Sequence, residues 1–146
     1  MSANWWFKAT LVASLLAGCG TAAEHQDVSF DPAYRSLIGR DARASSDLVL
    51  HAVTLDRNYA KRVDLCSVTQ QPGFDGPEVL FRRALPAGTT FRILHVRRCT
   101  NCLGANRVEL LVRSESTSAC GPVPVKILHG ALGDSVLLVP DTQRRT

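Results

Sequence analysis

No apolar run in this chain is long enough to cross a membrane as a helix. The uncharged stretch ATLVASLLAG, residues 9–18, rises about 15 Å as a helix, roughly half the hydrocarbon thickness. Lys8 separates it from Trp5, Trp6 and Phe7. There is no phosphate-binding loop, no Gly-x-Ser-x-Gly elbow and no His-Glu-x-x-His, so the local signatures of nucleotide hydrolysis, α/β-hydrolase chemistry and zinc proteolysis are missing. A nucleic-acid motif is also lacking, and a net charge of +4 is too small to argue for nucleic acid by itself. Beyond one short segment the chain lacks helical periodicity. No cofactor or metal is expected from these patterns.

What is present is an ordinary globular composition, 45% hydrophobic and 21% charged, in 146 residues, which fits one domain. Five cysteines in so short a chain point to an oxidising compartment. The first residues follow a fixed order: Lys8, the apolar run, the small residues Ala17 and Gly18, then Cys19. That order reads as an export signal. Leu16-Ala17-Gly18-Cys19 resembles the lipobox of bacterial lipoproteins. The resemblance implies cleavage before Cys19 and acylation of its thiol and new amino terminus, palmitate being a typical acyl chain. Several acyl chains hold a protein on a membrane where one alone does not. Gly20, where Asp would resemble an inner-membrane retention signal, implies the outer membrane, facing the periplasm.

The domain reading is a signal peptide over 1–18, a lipidated tether over 19–30, one β domain over 31–140 and a flexible tail over 141–146. Asp31 and Pro32 suit the start of a two-turn helix with Tyr34, Leu37 and Ile38 on one face and Gly39 as its stop. Strands are expected at 47–55, 62–69, 78–83, 89–98, 107–113, 123–128 and 135–140, separated by Gly, Pro, Asn and Asp. In the fifth of these, Val108, Leu110 and Val112 share one face and Arg107, Glu109 and Arg113 the other. Leu85-Pro86-Ala87-Gly88-Thr89 before the strand FRILHV resembles the turn and strand of bacterial SH3-like barrels. The expected fold is mainly β: a small antiparallel SH3-like barrel or sandwich, disulfide-stapled, with one short N-terminal helix.

With Cys19 acylated, Cys66, Cys99, Cys102 and Cys120 remain for two disulfides. The loop holding Cys99 and Cys102 is stapled either within itself or to Cys66 and Cys120. Cys99-x-x-Cys102 also offers half of a zinc site, with Cys66, Cys120, His51, His95 or His129 as further ligands, or a thiol–disulfide exchange pair lacking the usual helix N-terminus. His25 falls in the tether, and each histidine reads as a surface or hydrogen-bonded residue of a β structure. Asp75 and Glu78 read as a solvated turn. Lys61-Arg62 and the pairs Arg82-Arg83 and Arg97-Arg98 are basic, and Arg92 shares even parity with Arg98. If 78–83 and 89–98 were hairpin neighbours, Arg82, Arg83, Arg92, Arg97 and Arg98 would form a basic stripe for anionic lipid head groups, lipopolysaccharide phosphates or an acidic partner. The functional expectation is a membrane-anchored, non-enzymatic binding or structural module of the cell envelope. Inhibition of a periplasmic toxin or lytic enzyme (an immunity protein) and hydrolysis of envelope material are the alternatives.

Overall fold

The computed structural model describes residues 23–73, 75–102 and 107–140. The expected signal peptide, Cys19, the first part of the expected tether and the expected tail lie outside them. The strands are β1 His25–Asp27, β2 Asp41–Ala44, β3 Leu48–Val53, β4 Leu65–Thr69, β5 Val79–Leu85, β6 Thr90–Cys99, β7 Val108–Arg113, β8 Val125–Leu128 and β9 Val136–Leu138. They form one sheet in the order β5-β3-β4-β8-β7-β6-β2-β9, with β1 also on β6. The fold is mainly β and disulfide-stapled, as expected. All seven expected strands form, and β1 and β2 are added to them. The pairing is not wholly antiparallel, because β4 and β8 run parallel over Cys66↔Val125 and Ser67↔Lys126.

The sheet curves back on itself. A tight turn joins β5, at one end of the order, to β6 in the other half, and residues 45–47 join β2 to β3 in the same way. The turn has Thr89 N–H donating to the Pro86 carbonyl at 3.1 Å, with Gly88 at φ +90°. That left-handed position is why glycine stands there. Gly88 N–H donates to the Ala44 carbonyl, and Ala44 N–H to the Thr89 carbonyl, which ties the end of β2 to this turn. Both halves then close on one core around Phe91, Leu48, Leu50, Ile93, Leu110 and Ile127, all 2% exposed or less. Alternation supplies those side chains: Phe91 and Ile93 from β6, Leu110 and Val112 from β7.

Four expectations are corrected. Residues 25–30 are not tether. β6 is ten residues long and β2 pairs only with its first part, so β1 fills the remaining edge in the register His25↔Cys99, Gln26↔Arg98, Asp27↔Arg97. Val28 and Ser29 are buried, and Ser29 Oγ accepts from Val96 N–H at 2.9 Å. Second, β5 and β6 are not paired neighbours: β5 pairs with β3, and β6 with β7, β2 and β1. Third, Arg92 and Arg98 do not share a face. The β6–β7 register shifts between Ile93 and His95, leaving Leu94 as an extra residue that reverses the parity beyond it. In place of a two-turn helix, 31–39 is a run of turns with a 3-10 helix at Arg35–Leu37. Asp31 Oδ1 does accept Ala33 N–H at 2.9 Å, and Gly39 does take φ +74°.

Candidate functional site

The alternation that sends Leu110 and Val112 inward puts Glu109 on the outer face of the sheet, yet its side chain is wholly buried. Its neighbours bury it. Arg97 is its direct partner across the β6–β7 ladder, with Nη2 2.8 Å from Glu109 Oε2 and Nε donating to the same oxygen at 2.9 Å. Lys126 of β8 lies one diagonal away, opposite Leu111, with Nζ 3.3 Å from Oε1. Arg107, two residues before Glu109, brings Nη2 to 3.1 Å from Oε1. His25 of β1 places Nε2 3.5 Å from Oε2. Three permanent cations thus enclose one carboxylate. Burial pushes the Glu109 carboxyl up, but the charge of Lys126 and the hydrogen bond and charge of Arg97 outweigh it, so its pKa lies below the ordinary value.

The Cys99–Cys102 disulfide adjoins this cluster, three residues apart in sequence. Cys99 ends β6, opposite His25, and is fully buried, while Cys102 is partly exposed. Arg107 Nη2, the atom that meets Glu109, also lies 3.6 Å from Cys102 Sγ. A ring nitrogen of His25 and both sulfurs lie within 4.8 Å of one another. The other bridge, Cys66–Cys120, joins β4 to the 3-10 helix Glu115–Cys120, and both its cysteines are buried. The loop is therefore stapled within itself. With both pairs oxidised, Cys66, Cys99, Cys102 and Cys120 offer zinc no thiolate, and the histidine that meets Cys99 and Cys102 is His25 rather than His51, His95 or His129.

The basic residues divide among separate places. Arg82 and Arg83 lie on β5, where Arg82 Nη2 meets Asp75 Oδ1 at 3.3 Å. Arg97 serves Glu109, and Arg98 stands between Gln26 and Val108 in the ladders. Arg92 pairs with Asp41 at 3.2 Å, but it also stands directly opposite Arg113. With Arg43 these two arginines line a groove of about 510 Å³ whose acids are Asp41 and Glu115. Like charges directly opposite in a ladder are destabilising. His51 is buried against Thr69 Oγ1 at 3.0 Å and the Gln71 carbonyl at 3.3 Å, and the His129 ring meets Tyr34 edge-on at 5.4 Å.

No protein-family model, curated protein or solved structure matches this chain. Among the described residues no helix is long and apolar enough to cross a membrane.

Proposed function

We propose that this chain is a lipoprotein of the bacterial envelope, anchored by acyl chains on Cys19 and acting as a binding module on the periplasmic face of the outer membrane. The observation that carries the reading is the ordered signal of Lys8, the apolar run 9–18 and Leu16-Ala17-Gly18-Cys19. The place of β1 supports a short tether. Six residues from Cys19 to His25 span at most about 20 Å, which keeps β1 and its neighbours near the lipid surface. The wild-type protein is expected to incorporate labelled palmitate and to begin at Cys19. Cys19→Ser is expected to lose the label and to keep its precursor mass. An unlabelled wild type, or a variant labelled equally, removes the anchor.

The groove of Arg43, Arg92 and Arg113 offers an anionic envelope component a seat, since two of its arginines face each other at a cost in stability. Arg92→Glu with Arg113→Glu should elute from a phosphate-bearing resin at lower salt than Arg82→Glu with Arg83→Glu, which changes the charge equally. Equal elution removes the groove from the reading.

A further inference from the structure

We propose that Cys99–Cys102 is a thiol–disulfide exchange site that acts on cysteine thiols of a protein partner, while Cys66–Cys120 is a structural bridge. The two bonds differ in each respect that governs exchange. Cys66 and Cys120 are both buried and close a long stretch of chain, whereas Cys102 is partly exposed and its bond spans only three residues. Exchange requires access for the attacking thiolate and a stabilised leaving thiolate. A helix N-terminus usually gives that stabilisation, and among the described residues no helix begins at this pair. Arg107 takes its place, with Nη2 3.6 Å from Cys102 Sγ. Glu109 holds that guanidinium at 3.1 Å and is itself fixed by Arg97 and Lys126. Glu109 is thus a positioning residue for the sulfur site. Arg107 Nε is buried without a hydrogen-bond partner among the described residues, which leaves one donor of this guanidinium unspent.

The loop does not depend on the bond for its place. Thr100 N–H donates to the Glu24 carbonyl at 3.0 Å, Glu24 N–H to Asn101 Oδ1 at 2.7 Å, and Cys99 N–H to the Arg107 carbonyl at 2.8 Å. The pair can therefore open without the fold opening. In the first step a partner thiolate attacks Cys102 Sγ. A partner–Cys102 disulfide forms, the Cys99–Cys102 bond breaks, and its electron pair leaves on Cys99 Sγ. That sulfur takes a proton, with His25 in reach. In the second step another thiolate of the partner attacks the partner sulfur of the mixed disulfide. The partner's disulfide forms, and Cys102 leaves as a thiolate beside Arg107. Two partner thiols are oxidised to one disulfide, and Cys99 and Cys102 gain two electrons and, with the protonation of Cys102, two protons. The reverse sequence reduces a partner disulfide.

The test is reduction of the folded, full-length protein by dithiothreitol, quenched by alkylation and read by mass and peptide mapping. Alkyl groups are expected on Cys99 and Cys102 at least about tenfold faster than on Cys66 and Cys120. Arg107→Gln, which removes the cation that draws the incoming thiolate to Cys102 and then holds Cys102 as the thiolate that leaves the mixed disulfide, should slow the fast phase about tenfold, and Arg107→Lys, which keeps the charge, should restore most of it. Arg97→Gln removes a partner of Glu109 but does not touch the disulfide, so it acts on the sulfur site only through Glu109 and should slow the fast phase by no more than about threefold, well short of Arg107→Gln. Circular dichroism shows whether each variant is folded. Both bonds opening together, or an equal slowing by Arg97→Gln and Arg107→Gln, overturns the proposal.

Discussion

Replacing Cys66 and Cys120 together by alanine is expected to destabilise the protein by about 4 kcal/mol and to lower its Tm by roughly 10–20 °C. Part of this follows from chain entropy, because the bridge closes a separation of 54 residues. The rest is local. The sheet divides into β5-β3-β4 and β8-β7-β6-β2-β9, and among the described residues the only ladder between these parts is the parallel β4–β8 pair, two register positions long. Cys66 is one of those positions, and its bridge runs to Cys120, five residues before its ladder partner Val125. The disulfide therefore clamps the thinnest seam of the sheet. Cys99→Ala with Cys102→Ala should cost only about 2 kcal/mol, since that loop is short and held by backbone hydrogen bonds. Urea unfolding of the two double variants measures both losses. Equal losses would mean that the seam does not depend on its bridge.

The strands were legible because their inward residues alternate and their ends carry turn residues. Val108, Leu110 and Val112 foretold the phase of β7, and Leu85 to Thr89 foretold a turn. What the sequence did not carry was partnership. Nothing local in FRILHVRR marks Leu94 as a bulge, yet that one residue decides which arginines share a face. The turn at Pro86–Thr89 reads as a hairpin, but β5 finds a better partner in β3, with six register pairs, and β6 is covered by β7. β1 has three residues, HQD, with no apolar alternation at all. It is a strand because β6 outruns β2 and leaves an edge to be paired, a tertiary cause invisible in those residues.

The candidate site was half legible for the same reason. The Cys99-x-x-Cys102 spacing was plain, and so was the isolation of Glu109 on the polar face of β7. Their union needed the register. Arg97 reaches Glu109 only because the bulge puts it across the ladder, Lys126 because β8 lies on the other side, and His25 because β1 is folded rather than a tether. A lone carboxylate on the outward phase of a strand, with Arg107 two residues before it, was the one available signal. It could not say that three other strands would help to bury it.

Glu109→Gln is expected to cost about 3 kcal/mol although it preserves size, because it removes the charge and turns one accepting oxygen into an NH2 that can only donate. Removing the charge leaves Arg97, Arg107 and Lys126 facing one another, their attraction to the carboxylate replaced by mutual repulsion. The sign with pH is fixed by the lowered carboxyl pKa. The folded state holds the ionised form more strongly than the unfolded chain does. Its contribution is fully present above the ordinary glutamate value and is lost as pH falls through the lower, folded value. Asp27, whose pKa the Ser29 hydrogen bonds lower, and Asp64, lowered by Arg62 and by Leu55 N–H, also weaken the fold in acid. Both remain in the variant, so the difference in unfolding free energy between wild type and Glu109→Gln isolates Glu109. That difference should be constant from neutrality down to the ordinary glutamate range and then shrink. A further Lys126→Met change should recover part of the loss, because it removes one of the repelling charges while keeping an apolar stem over the site. A pH-independent difference, or no recovery on removing Lys126, would show that packing rather than charge holds the cluster together.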